Sequence, residues 1–330
     1  MRRMIQLPHR VCEGTCYVNG LEDVLSWKGA GYPDFLLSVV GGMSSFAYLK
    51  FKMAKPPCMV YWGSSPKYFL RNLEKIIGFR QDILEGRTFK TTFARMKDYV
   101  DKGEPVMVGA LDMYYLHYYS KLYKESHVPI HYVLVVGYDD DKQAVLVHDC
   151  SMSGVQEVPY PEFEKSLNVK VPGMSNKNTI RVFKLPKKLP FELDLAKRGF
   201  MFKAEQMLNP PVSMFGIPAM RKLAKEITSW KNRDCFEHLA TYATTPPQLP
   251  KTFEHSDGMR LVQAQILRML GEKHAVAEWT DASSLFQESG KLIKGLSKAS
   301  IEQDTKTCSD LIAQIADIEE KAYQLLKSPS

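Results

Sequence analysis

The chain has 330 residues, 45% of them hydrophobic and 25% charged, with a formal net charge of +7. This composition excludes a disordered or collagen-like chain, and the length favours two domains over one. The positive excess is spread without a Lys/Arg block, so its plain reading is a solvated basic surface and its functional reading is attraction to an acidic partner.

The opening segment, MRRMIQLPHR, is charged but is followed by no apolar stretch of the signal-peptide kind. Next comes VCEGTCYVNGLEDVLSWKG. Its residues Tyr17, Leu21, Val24 and Leu25 share one helical face, with Thr15 as the expected N-cap, Gly14 permitting a tight approach, and Gly29, Gly31 and Pro33 closing the helix. PPCMVYWGS reads as a strand, and SPKYFLRNLEKIIGF as a helix capped at Ser65 with Pro66 in its first turn. TTFARMKDYVDKG is a further helix closing on Gly103. Three strands follow, PVMVGALDM, HYVLVVGYDD and AVLVHDC, the last two joined by the charged hairpin loop DDDKQ. VQEVPY and TIRVFKL read as strands flanking a short helix, YPEFEKSL.

The proline-punctuated LPKKLP at 185–190 reads as a linker. Beyond it the pattern is helical throughout. In the last helix Cys308, Leu311, Ile312, Ile315 and Ala322 lie on one face. The expected architecture is α+β, with one domain over roughly 1–185 and a helical domain over roughly 191–330.

Cysteines stand at 12, 16, 58, 150, 235 and 308, with no CxxC pair. Together with the absence of a signal segment, this predicts a cytoplasmic chain with reduced thiols. No window approaches the ~18 apolar residues of a membrane span, and no nucleic-acid-binding motif stands out. His9, Cys12 and Cys16 lack the second ligand pair usual in structural zinc sites, so no metal is expected.

A lone helical cysteine is more often a small buried hydrophobe than a nucleophile. Cys16, however, falls directly after the cap position, where unpaired backbone N–H groups and the helix dipole favour a thiolate; Cys12 comes one turn too early. The same N–H groups could hold an oxyanion formed beside the sulfur. A thiol nucleophile wants a base, and the base an orienting group. His131 opens one strand and Asp149 ends the next, and a hairpin brings such positions together. His148 is the competing base, but adjacent strand residues face opposite ways, so His148 and Asp149 cannot both face His131. Asp112 reads equally as a strand-end cap that ties the following loop and as a site for an acceptor ammonium or pantetheine. Tyr114, Tyr115, Tyr118 and Tyr119 are too dense to be all core, and some are candidates to wall an acyl tunnel. Gly41 and Gly42, in GGMSS, either form a turn or allow a chain to approach bare backbone.

The pattern C-x4-L-x3-L-x3-G at Cys16, Leu21, Leu25 and Gly29 is similar to the nucleophile helix of papain-like and bacteriocin-processing cysteine peptidases. HYVLVVGYDD and VLVHD resemble their histidine and aspartate strands. VVGGMSSFAY, ALDMYYLHYY and GIPAMRKLAKEITSW narrow the resemblance to the butirosin-biosynthesis BtrH-like family, which includes closthioamide-type amide-forming condensing enzymes. The resemblance implies a papain-like N-terminal domain with a helical C-terminal domain. It implies a Cys16–His131–Asp149 triad that accepts an acyl or peptidyl group from a carrier protein and passes it to a small amine or diamine. No cofactor is implied beyond the phosphopantetheine carried by the donor. Papain-like peptidases often place Gln six residues before the cysteine; here that position is Arg10. The oxyanion candidates are therefore the Cys16 N–H and a side chain among Gln6, His9 and Arg10. The same triad would also serve a cysteine peptidase or amidohydrolase, and a third reading is a binding module that keeps only the fold.

Overall fold

A computed structural model describes residues 1–12, 15–172, 174–243 and 257–327. Gly14, read above as easing the approach to the first helix, lies outside the described residues. The strands are β1 (Arg2–Met4), β2 (Ala47–Lys50), β3 (Cys58–Tyr61), β4 (Arg80–Leu84), β5 (Val106–Leu111), β6 (His131–Asp139), β7 (Ala144–Asp149), β8 (Met152–Pro159) and β9 (Ile180–Lys184). The helices are α1 (Cys16–Trp27), α2 (Leu36–Gly41), α3 (Pro66–Ile77), α4 (Phe89–Asp101), α5 (Tyr160–Leu167), α6 (Glu192–Leu208), α7 (Gly216–Glu226), α8 (Arg233–Ala243), α9 (Arg260–His274), α10 (Ala277–Ile301) and α11 (Thr305–Lys327). The mixture is α+β. Among the described residues no helix is long and apolar enough to cross a membrane.

The chain divides into two compact units. The first comprises Met1–Leu37 and Ser65–Pro190. Its antiparallel sheet runs β4-β9-β5-β6-β7-β8, with β1 paired to β6. On one face Val106, Val108, Val133, Val135, Val145 and Val147 pack with Met96 and Tyr99 of α4 and Phe163 and Leu167 of α5. α1 lies on the other face. There Gly20 allows a close approach: a Cβ on it would meet Met107 Cε at 2.9 Å and Leu134 Cβ at 3.1 Å. A mid-helix glycine costs about 1 kcal/mol against alanine, and contact with the sheet offsets it here.

The second unit comprises Ser38–Ser64 and Phe191–Ser330. The sequence reading placed all of 1–185 in the first domain; the structure assigns segment 38–64 elsewhere. The reason is hydrogen bonding. Hairpin β2–β3 satisfies its open edge with the segment before α7, through Tyr48 N–H to Met214 O at 2.9 Å and Gly216 N–H to Phe46 O at 3.0 Å. The strand predicted from PPCMVYWGS is β3, and its partner β2 was not foreseen.

The helices of this unit enclose ionic groups. Arg260 and Glu319 are fully buried and meet in two hydrogen bonds, at 2.7 and 2.8 Å, and Ser289 Oγ adds a third to Glu319 at 2.6 Å. Lys203 donates to Val39 O at 2.9 Å and to Ser44 Oγ, and burial pushes its ammonium well below its ordinary range. Removing one partner of a buried pair strands the other. Glu319→Ala is therefore expected to cost about 3–5 kcal/mol in urea unfolding. Three of the four tryptophans, Trp62, Trp230 and Trp279, belong to this unit and report the transition by fluorescence. Glu272→Ala, which breaks an exposed pair with Arg268, is expected to cost no more than about 1 kcal/mol. Equal losses would mean that the Arg260–Glu319 pair is not sequestered.

Candidate active site

α1 starts at Cys16. Thr15 holds the N-cap position in extended conformation (φ −152°), but its side chain makes no capping bond. Its carbonyl accepts the N–H groups of Val18 and Asn19, at 2.9 and 3.2 Å. Inside the helix the N–H groups of Cys16 and Tyr17 have no partner, and both are at the sulfur's own turn. Cys16 is half-buried, with Sγ 4.0 Å from the carbonyl of Ile130, the residue before β6.

The β6–β7 register sets Leu134 opposite His148. Extending it by one residue places Asp149 opposite Val133, on the same face as His131, which is its diagonal neighbour. His131 Nε2 lies 2.7 Å from Asp149 Oδ2. With Nε2 so engaged, Nδ1 is the ring atom left free to face Cys16, whose sulfur is near enough to favour the charged imidazole. The structure thus brings Cys16, His131 and Asp149 together. His148, on the opposite face, turns to α1, with Nδ1 3.1 Å from Asp23 Oδ2.

Asp149 is fully buried and has four donors. Oδ2 accepts from His131 and from Tyr118 Oη at 2.9 Å, and Oδ1 from Tyr119 Oη at 2.6 Å and Ser151 N–H at 3.2 Å. Burial alone would raise this carboxyl; the His131 charge and hydrogen bonds from His131, Tyr119 and Ser151 outweigh it and hold it at about 2. Burial likewise pushes His131 down, but the Asp149 charge and hydrogen bond, with a smaller contribution from Cys16, hold it up at about 10. The result is an imidazolium–carboxylate pair beside the sulfur. Tyr118 and Tyr119 are raised, by burial first and by Asp149 second, and so remain donors.

Tyr118 and Tyr119 therefore serve the carboxylate, a role the sequence reading did not assign. No spacing signalled it, because the loop returns to the sheet only in three dimensions. Asp112 ties that loop. Its Oδ2 lies 2.6 Å from His127 Nδ1, and its Oδ1 accepts from Tyr114 N–H at 3.1 Å and Val128 N–H at 3.0 Å. Of the two readings of Asp112, these bonds are those of the loop tie. Tyr114 stacks on His127 at 4.1 Å, Lys124 lies 5.0 Å from the Tyr115 ring centroid, and neither tyrosine hydrogen-bonds the triad among the described residues.

The oxyanion candidates differ in their surroundings. His9 has both ring nitrogens engaged, by Asp23 and by the carbonyls of Asp149 and Met152, so it has no N–H left for an oxyanion. Arg10 pairs with Asp34 at 2.7 Å, and Gln6 is exposed. The first-turn N–H groups of α1 lie at the sulfur's own turn. Gly41 and Gly42 belong to the second unit; Gly42, at φ 131°, forms a turn with Ser64 and Ser45 Oγ within 3.1 Å of any added Cβ.

All six cysteines are free. Cys12 is buried in the loop before α1. Cys150 is buried beside His131 and Asp149, and burial pushes its thiol up. His9, Cys12 and Cys16 do not converge as ligands. Among the described residues the groups within ligating reach of one another are His9–Asp23–His148 and His131–Asp149–Cys150.

An antiparallel α+β unit thus presents a thiol at a helix start against a histidine and an aspartate at two strand ends. Residues 15–150, the stretch that contains Cys16, His131 and Asp149, match the family described as butirosin biosynthesis protein H, N-terminal. No curated protein matches the chain.

Brief iodoacetamide treatment near neutral pH, followed by peptide mapping, is expected to label Cys16 before Cys12 and Cys150. His131→Ala should slow that labelling far more than His148→Ala; equal effects would mean the strand faces are misassigned. The pair also has a pH signature. The stability due to His131 is complete below about pH 6.5 and is lost as pH rises through about 10. That due to Asp149 is complete above about pH 3.9 and is lost as pH falls through about 2. An NMR titration should find His131 protonated at neutral pH with a midpoint near 10, falling in Asp149→Asn. A midpoint near the ordinary ~6.5 in the unaltered protein would contradict the ion pair.

Proposed function

We propose that the protein is an amide-forming acyl- or peptidyltransferase of natural-product biosynthesis, built on a papain-like domain. The donor is an acyl or peptidyl group held as a phosphopantetheine thioester on a carrier protein, and the acceptor is a small amine or diamine. The observation that carries this reading is the Cys16–His131–Asp149 arrangement inside a segment that matches the butirosin biosynthesis protein H family.

In the first half-reaction the Cys16 thiolate attacks the thioester carbonyl carbon. The carbonyl oxygen becomes an oxyanion beside the first-turn N–H groups of α1. The C–S bond to pantetheine breaks, and the departing sulfur takes the proton from His131. In the second, the amine attacks the Cys16 thioester. Neutral His131 accepts the amine proton, the C–S bond to Cys16 breaks, and the amide leaves. The sum is thioester plus amine giving amide plus pantetheine thiol. It runs downhill without ATP, and no redox cofactor enters the balance. Asp149 takes no proton. Its four acceptor positions are filled, and it holds the ring so that Nδ1 faces the sulfur. Carrier proteins are usually acidic, which gives the +7 charge a motive.

Water at about 55 M competes with the amine, so a transferase must position its acceptor; well-oriented groups reach effective molarities of about 10⁵–10⁸ M. Carrier-loaded donor without amine is expected to give an acyl-enzyme visible by intact mass and absent in Cys16→Ala. Adding the cognate amine should discharge it to amide with little free acid. Rapid release of free acid without amine, or cleavage of plain peptides at a comparable rate, would move the protein to the hydrolase class.

A further inference from the structure

Behind the triad lies a second cluster that the mechanism above does not use. His9 Nδ1 is 2.7 Å from Asp23 Oδ2, while His9 Nε2 is 2.8 Å from Met152 O and 3.1 Å from Asp149 O. Carbonyl oxygens only accept, so Nε2 carries a proton. Asp23 Oδ2 also lies 3.1 Å from His148 Nδ1, and Oδ1 takes the Arg10 N–H at 3.3 Å; a carboxylate that accepts from these groups puts the second proton on His9 Nδ1. The His9 side chain is 6% exposed and Asp23 2%. Neither proton has water to replace its partner.

The positions of the two ends matter more than the ion pair itself. Asp23 lies two turns after Cys16 on α1, close to the same helical face. The two carbonyls flank the β7–β8 turn, one on Asp149 at the end of β7 and one on Met152 at the start of β8. We propose that His9, as an imidazolium bridging Asp23 to the carbonyls of Asp149 and Met152, is a positioning residue that fixes the nucleophile's helix against the turn bearing the orienting carboxylate. This rests on the reading of Cys16, His131 and Asp149 given under the proposed function.

The charged and titratable groups facing His9 are Asp23 from α1 and His148 from β7, with Arg10 on its own segment and Asp34 and Glu22 around Arg10. Burial opposes charge on His9, but the Asp23 hydrogen bond and charge and the two carbonyls raise it above its ordinary value. Burial pushes Glu22 up to about 7 against the pull of Arg10. A metal ion fits the cluster less well. The His9 and His148 rings stack at 4.2 Å with 28° between planes, and both Nδ1 atoms are directed at the one oxygen Asp23 Oδ2 rather than at an open point between the three groups. The 2.7 Å contact is also shorter than the ~3.3 Å between ligands of a tetrahedral zinc.

The test uses readouts that need neither donor nor amine. In the intact protein at neutral pH, ¹⁵N-histidine NMR should show both His9 ring nitrogens protonated, and elemental analysis should find no stoichiometric metal. His9→Ala should slow Cys16 alkylation by between about ten- and about a hundredfold, and should lower the His131 titration midpoint, because a small misplacement of reacting groups has effects of this size. His9→Gln, which retains an N–H for the two carbonyls, should recover part of both losses. A singly protonated His9, a stoichiometric metal, or an unchanged alkylation rate and His131 midpoint in His9→Ala would each overturn the proposal. The NMR result stands even if His9→Ala fails to fold. If these readouts hold but no acyl transfer occurs, the proposed function fails and the positioning role remains. If transfer occurs while they fail, only the positioning role is lost.

Discussion

The constraint on which the site depends is the buried Asp149 carboxylate. A carboxylate without water must find donors for its lone pairs, and an unpaired one costs several kcal/mol. Here the donors come from three separate parts of the chain: the start of β6, the turn after β7, and the loop between β5 and β6. That loop has no regular ladder of its own. A second buried carboxylate, Asp112, holds it by collecting two backbone N–H groups and the His127 ring. The geometry at Cys16 thus hangs on two acids, neither of which touches the sulfur.

Similar residues are sorted into different roles by their surroundings. Cys16 and Cys150 both lie near the imidazole, but only Cys16 is at a helix start and partly open, whereas Cys150 is enclosed. His148 precedes Asp149 on β7 and His131 lies across the hairpin on β6, yet strand parity gives His131 to the carboxylate of Asp149 and His148 to that of Asp23. Separation by parity lets one hairpin support two ionic clusters on opposite faces of a sheet in which β7 lies directly beside the edge strand β8.

Much of this was legible in the residue order, for physical reasons that also mark where legibility stops. The helix at Cys16 follows from apolar spacing and a cap residue. The strands β5, β6 and β7 follow from short apolar runs with turn signals between them. Those are local signals. The strand β2 was missed because its partners lie at Cys58–Tyr61 and near Met214, so nothing within its own four residues marks it. β4 was missed because RQDIL is mostly polar and exposed, as suits an edge strand. Tyr118 and Tyr119 read as surplus aromatics because their target, Asp149, lies about 30 residues away in sequence. His9 drew attention for its position before Cys16, but its place behind the triad depends on Asp23 and the β7–β8 turn, which no window around residue 9 contains.

The chain leaves its first compact unit at Leu37, returns at Ser65, and leaves again after Pro190. The helical unit is therefore not a module hung on a single tether. Cutting the gene at the 185–190 linker would yield a fragment still carrying the β2–β3 hairpin, stripped of the backbone partners at Met214 and Gly216 that close its edge. The complementary fragment would lack Val39, Ser44 and Trp62, leaving the Lys203 ammonium without two acceptors and the Arg260 guanidinium without the indole it lies over. In evolutionary terms, such a two-part chain resists recombination by end-to-end fusion: neither half can be exchanged without also rewriting a stretch of fewer than thirty residues embedded in the other.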